Sequence, residues 1–135
     1  MTVFTDVEIE YLASQRLGRL ATLAPKGSPQ VRPVRFQYNA ELDTIDIGGR
    51  AMAGSRKLRN VENDPRVSFV IDDLASIDPW RPRGIEIRGR AEALPVDGAQ
   101  EGSGGALIRI HPRRIVVWGL DSESPALHAR NVTKD

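Results

Sequence analysis

From residue 84 to residue 93 the chain alternates: Ile85, Ile87, Ala91 and Ala93 fall on one side, and Glu86, Arg88, Arg90 and Glu92 on the other. A period of two gives a β-strand with one face on a core and one face in water, which is the habit of antiparallel sheets. Such a strand needs partners, and the rest of the chain offers them. Residues 19–23 and 30–38 are β-compatible runs separated by Pro25-Lys26-Gly27-Ser28-Pro29, the composition of a hairpin turn. Asn39-Ala40-Glu41-Leu42-Asp43 makes a second turn into residues 44–47, where Ile45 and Ile47 share a side. Residues 66–71 set Val67, Phe69 and Ile71 on one face, and residues 106–110 and 114–120 supply two further strands joined at His111-Pro112-Arg113.

Only two helices interrupt this series. Thr5 caps the first, Glu8 closes a capping box and Phe4 staples onto Ile9, so that Ile9, Leu12 and Ala13 share a face and Gly18 ends the element. Ser55 caps the second, with Leu58 and Val61 one turn apart and Asp64-Pro65 as its stop. Residues 97–105 are glycine-rich and read as a short loop. The sum is a mainly β chain with short helices. A closed or partly closed barrel is favoured because closure removes exposed edges, with a ferredoxin-like sandwich as the alternative. A chain of 135 residues has room for one domain, taken here as residues 1–135.

Composition narrows the function. There is no cysteine, which excludes disulfides, thiolate metal sites and thiol nucleophiles. Sixteen arginines and three lysines nearly balance eighteen acids, so no global basic field favours nucleic acid and any anion site is local. No signal-like start and no apolar run of the roughly 20 residues that span a bilayer is present, so a cytoplasmic protein without membrane contact is expected.

The local asymmetry lies at Arg50, Arg56, Lys57 and Arg59, four cations with no acid between them, preceded by Gly48-Gly49 and the small residues Ala51, Ala53 and Gly54. A glycine-rich turn leading into a helix start aims free N–H groups at an anion, and Ser55, Arg56 and Lys57 add donors. Composition alone leaves this segment open between a phosphate site and a solvated basic face. Elsewhere the acid–base inventory is sparse. His111 sits between strands, His128 in a polar tail, and Tyr38 has no evident activator. The serines lack a nucleophile elbow, and Asp72, Asp73 and Asp78 read as a loop after a strand rather than a metal site.

Gly54-Ser55-Arg56-Lys57-Leu58-Arg59-Asn60-Val61, followed by Asn63-Asp64-Pro65-Arg66-Val67, resembles the cofactor-phosphate segment of the pyridoxamine-phosphate-oxidase-like flavin and deazaflavin oxidoreductases. Leu20-Ala21-Thr22-Leu23 with Val31-Arg32-Pro33-Val34 is similar to that superfamily's first hairpin. The stretch from Pro79-Trp80-Arg81-Pro82-Arg83 through Gly84 to Gly89 resembles its B-type deazaflavin-dependent branch, nearest the subgroup that contains the tetracycline-biosynthesis reductase. Ile108-Arg109-Ile110-His111-Pro112 and Val117-Trp118-Gly119-Leu120 extend the likeness over nearly the whole chain.

The resemblance implies a split β-barrel of the FMN-binding-protein type, a homodimer with cofactor sites between protomers, and coenzyme F420 as cofactor, with FMN as the alternative. It assigns the cofactor phosphate to Ser55, Arg56 and Lys57, and the ring edge to Arg32, Pro33 and Val34 and to Ile47, Gly48 and Gly49. Trp80, Arg83, Gly84 and Trp118 would reach the site from the other protomer. The implied activity is hydride transfer from a reduced deazaflavin to an unsaturated small molecule, for which no acid–base constellation is required. The competing functions are a flavin-, deazaflavin- or haem-binding protein without turnover, and an FMN-dependent oxidase of pyridoxamine phosphate for which Arg81 and Arg83 are the only second basic cluster.

Overall fold

The computed structural model describes residues 2–96, 105–121 and 126–132. The loop expected over residues 97–105 falls, except for Gly105, outside the described residues. Helix α1 (Asp6–Ser14) starts as its sequence dictates: the Thr5 hydroxyl accepts from the Glu8 N–H and the Glu8 carboxylate accepts from the Thr5 N–H. Its buried residues are Glu8, Tyr11 and Leu12, whereas Ala13 is exposed. The expected Ile9-Leu12-Ala13 face is therefore corrected, because Glu8 is drawn inward by a partner far away in the chain.

Strand β1 (Leu17–Leu23) follows at once, and Gly18 lies inside it rather than ending α1. The reason is steric: a Cβ at Gly18 would lie 2.2 Å from Cζ of the fully buried Phe69. β1 pairs antiparallel with β2 (Pro29–Arg35) across the expected turn, and on its other side with β5 (Arg66–Ser76). β3 (Gln37–Asn39) and β4 (Thr44–Ile47) form a second hairpin, and β6 (Arg81–Pro95), β7 (Ala106–Trp118) and β8 (His128–Asn131) complete the sheet. His128 thus belongs to a strand, not to a polar tail.

The hydrogen-bonded order is β2-β1-β5-β6-β7-β4-β3, with β8 also on β7. β2 and β3 stand at opposite ends of that path yet are joined by Phe36 alone. One residue spans only about 3.5 Å, so the sheet must roll until its edges meet. This makes a split β-barrel, closed by the chain rather than by a ladder. Inside it, Phe69 faces Ile87, Ile71 faces Ile85, and Ile45 and Ile47 face Ile110 and Ile108, all without solvent exposure. The Phe36 ring packs edge-on against Phe69 with centroids 5.2 Å apart, so the closing residue is held by the core itself.

The two strands expected over residues 106–120 are one. Gly89 pairs with Pro112 while Arg88 pairs with Arg114, leaving Arg113 as an extra residue. This bulge switches the inward-facing phase from Ile108 and Ile110 to Ile115, which is why the alternation appears broken in sequence. Pro112 lacks an N–H and sits where the outer neighbour of β7 changes from β4 to β8, so the missing donor is not needed.

Candidate functional site

Helix α2 (Arg56–Asn63) hangs from the end of β4 through Gly48-Gly49 and a 3₁₀ turn, Met52–Gly54. Asp46 holds the base of that connection. Arg109 on β7 grips its carboxylate with two bonds of 3.0 and 3.1 Å, and Asn39 and Thr44 each add one of 2.9 Å. Burial pushes the Asp46 carboxyl up, but these donors and the Arg109 charge outweigh it and hold the group below the usual carboxylate range. A lowered folded-state value means that the stabilisation is complete above about pH 4, the ordinary value of the unfolded chain, and is lost as acidification continues down through the folded-state value. Asp46→Asn should accordingly flatten the acid limb of a stability–pH curve recorded by urea denaturation, with little change in its slope above pH 5.

Ser55 closes the turn and caps α2. Its hydroxyl donates to the Met52 carbonyl at 2.8 Å and accepts from the Leu58 N–H at 3.2 Å, while its own N–H bonds to Met52. The Arg59 N–H reaches the Ser55 carbonyl at 3.4 Å. Of the four donors that a helix start leaves over, those of Arg56 and Lys57 have no partner among the described residues. The Ser55 side chain serves as the cap, and the first-turn amides of its two neighbours are the backbone donors on offer.

The start of α2 borders a cleft of about 930 Å³ lined by Leu20, Thr22, Gln30, Val31, Arg32, Pro33, Ser55, Arg56 and Lys57. An adjoining groove of about 550 Å³ runs past Pro33, Val34, Gly48, Gly49, Met52 and Gly54, and shares Ser55 and Lys57 with the cleft. A Cβ built at Gly49, whose φ is 157°, or at Gly54 would meet nothing within 4 Å, so both glycines face open space. Several arginines of the sheet are neutralised locally. Arg19, Arg66, Arg83, Arg88, Arg109 and Arg130 each pair with a carboxylate. Among the described residues no carboxylate pairs with Arg32, Arg56 or Lys57.

The expected site residues therefore divide. Arg32, Pro33, Val34, Gly48, Gly49, Ser55, Arg56 and Lys57 line the two connected hollows. Ile47 is wholly buried and anchors the glycine turn from the core. Trp80 is 66 % exposed at the tip between β5 and β6. Arg83 pairs with Asp73 at 2.7 Å and lies over the Tyr11 ring, and the Trp118 ring covers Gly84, where a Cβ would fall 2.4 Å from it. Trp80, Arg83, Gly84 and Trp118 line neither hollow.

Three residues escaped the sequence reading of the site: Thr22, Gln30 and Asn60. Asn60 is buried in α2 and its amide donates to Thr22 Oγ1 at 3.0 Å and to Gln30 Oε1 at 2.9 Å. An asparagine inside a helix, where its intrinsic preference is poor, was the available signal. The other candidates lie elsewhere. Tyr38 donates to Asp43 at 2.7 Å, and burial followed by the Asp43 bond keeps its hydroxyl above its ordinary value. His111 pairs with Glu92 on the outer face, and Asp72 and Asp73 are taken by Arg19 and Arg83. No helix among the described residues is long and apolar enough to cross a membrane.

The family pattern described as pyridoxamine 5'-phosphate oxidase matches residues 5–134. A 5a,11a-dehydrotetracycline/5a,11a-dehydrooxytetracycline reductase of Streptomyces rimosus is 47% identical, over 98% of this chain and 95% of its own. Among solved structures, a conserved hypothetical protein of Mycobacterium tuberculosis aligns with a TM-score of 0.71 at 24% identity, covering 90% of this chain and 89% of that one. A protein described as an F420 reductase aligns with a TM-score of 0.59 at 21% identity, covering 78% and 94%. Both structural matches concern the fold.

Proposed function

This chain belongs to the pyridoxamine 5'-phosphate oxidase family, and from that membership and the geometry of its cleft we propose that it is a coenzyme F420-dependent reductase of an unsaturated small molecule. The observation that carries the reading is the cationic cleft: Arg32, Arg56 and Lys57 lack carboxylate partners among the described residues, and all three line the same hollow at the start of α2. A phosphodiester fits this donor set. Bound there, coenzyme F420 would supply a hydride. Arg56 and Lys57 hold the phosphate end in this reading, Ser55 caps the helix that presents them, and Arg32-Pro33-Val34 and Gly48-Gly49 border the ring, with Ile47 fixing the turn from behind. The protein's work is orientation, since a well-placed donor and acceptor need little further assistance.

The acceptor belongs to the class of unsaturated polycyclic ketones, by analogy with the dehydrotetracyclines named for the Streptomyces relative. The working form is a cytoplasmic homodimer. Leu74, Ile77 and Trp80 are exposed apolar side chains on the β5–β6 hairpin, and a second copy would cover them and bring Trp80, Arg83, Gly84 and Trp118 toward a cleft. An FMN-dependent oxidase of pyridoxamine phosphate is disfavoured because Arg83 is committed to Asp73, leaving Arg81 as its only basic neighbour of the predicted pair. Parallel titrations with coenzyme F420 and FMN, read by tryptophan fluorescence, test the reading, followed by turnover of reduced coenzyme F420 with a dehydrotetracycline. Binding of coenzyme F420 with turnover is expected. Preference for FMN would favour the oxidase, and binding without turnover of any enone would favour a cofactor-holding protein.

A further inference from the structure

We infer that the cleft has a second, uncharged wall, formed by Thr22 and Gln30, whose donor hydrogens are turned toward a ligand oxyanion by the buried amide of Asn60. Asn60 is 1 % exposed and sits on α2 one turn beyond the cationic start of the helix. Its two N–H bonds go to Thr22 Oγ1 and Gln30 Oε1, on the two strands of the hairpin that faces α2. Both of these residues line the cleft.

The direction of those bonds decides the polarity of the wall. Thr22 and Gln30 both accept from Asn60, so the hydroxyl hydrogen and the Gln30 amide N–H₂ are left to donate elsewhere. Gln30 is exposed on the cleft side, and its nitrogen has no partner among the described residues. The Asn60 Oδ1 is buried without a partner among the described residues. The reverse arrangement, with both amides turned over, would satisfy that oxygen but bury two unpaired Asn60 N–H groups, which is costlier than one unpaired acceptor. The observed polarity is therefore the stable one.

The ligand part recognised is an oxyanion held between two walls, the Arg56 and Lys57 side on α2 and the Thr22 and Gln30 side on the hairpin. Asn60 is a positioning residue: it touches no ligand but sets which atoms of Thr22 and Gln30 face one. This inference rests on the phosphate-binding part of the function proposed above and adds the neutral donors and their control.

The test measures dissociation constants of the intact protein for two pairs of probes, coenzyme F420 against its unphosphorylated deazaflavin precursor, and FMN against riboflavin. The FMN-to-riboflavin ratio isolates the phosphate, and the deazaflavin ratio reports the phosphodiester together with the tail it carries. Gln30→Leu should cut the ratio by about tenfold, the scale of one hydrogen bond to a charged group, with under a twofold change for the unphosphorylated member. Asn60→Asp, which can only accept, should turn the Thr22 and Gln30 donors inward and cut the ratio further. Thermal unfolding shows whether that variant folds, and Gln30→Leu on the exposed cleft wall decides the matter if it does not. Equal weakening of both members of a pair, or an unchanged ratio, overturns the inference. If the wild type binds the FMN pair alone, the F420 reading fails while the FMN-to-riboflavin ratio still decides this one; if it binds neither pair, both fail.

Discussion

Lys57→Ala is expected to weaken coenzyme F420 binding by about 10- to 100-fold, with almost no change in thermal stability. Lys57 is the second residue of α2, half-buried, and borders both the cleft and the groove beside it. Among the described residues it makes no ion pair, so nothing in the fold depends on its charge. A bound phosphate is a different matter. In the proposed complex the ammonium would face an oxyanion from a wall that also carries Arg56, and a charge-assisted hydrogen bond of this type contributes about 1.5–3 kcal/mol. The backbone N–H at this position survives the substitution and accounts for residual affinity. Calorimetric titration gives the constant directly, and the unphosphorylated deazaflavin is the control that should bind both proteins alike. An unchanged constant for coenzyme F420 would remove the phosphate from this end of α2.

The second large effect concerns stability. Arg130 on β8 donates to both oxygens of Glu8, at 2.8 and 2.6 Å, and to the Val3 carbonyl at 2.8 Å. Glu8 is 3 % exposed and its carboxylate also accepts from the Thr5 N–H. One residue thus caps α1 and ties it to a strand 122 positions away. Arg130→Met would leave a buried carboxylate without its cation. The usual cost of breaking a buried pair from one side is about 3–5 kcal/mol, and the partial exposure of Arg130 lets water recover some of it, so a loss of roughly 2–4 kcal/mol is expected. Urea denaturation measures it. The double variant Glu8→Met with Arg130→Met should regain a large part of the loss, because no unpaired charge then remains. If the double variant is as unstable as Arg130→Met plus a further penalty, the pair acts through packing rather than charge.

How much of this was written in the chain varies with the range of the interaction. The capping box of α1, the hairpin turn at residues 25–29, the N-cap at Ser55 and the alternation of residues 84–93 are local, and each appears in the structure. The cationic run at residues 50–59 was legible for the same reason, since a helix start and its neighbours lie within a few residues of one another. Where the reading failed, a distant partner had intervened. Ala13 yielded its place on the buried face because Arg130 draws Glu8 inward. Gly18 looked like a helix stop and is instead a strand position emptied for the Phe69 ring. The apparent break at His111-Pro112-Arg113 is one extra residue in a continuous strand, which local alternation cannot tell from a turn.

The cleft divides in the same way. Its charged wall is a contiguous segment, so the sequence by itself determined which cations start α2 and that a helix N-terminus stands among them. Its opposite wall is not contiguous: Thr22 and Gln30 come from two strands, and Asn60 from the helix, 30 or more positions away. Which of their atoms face the hollow follows from a hydrogen-bond direction, and that direction exists only when the rolled sheet presses the hairpin against α2. Turn, cap and strand preferences act within a few residues and can be read along the chain; barrel closure, the Glu8–Arg130 pair and the polarity of the neutral wall depend on contacts that only tertiary packing brings into range.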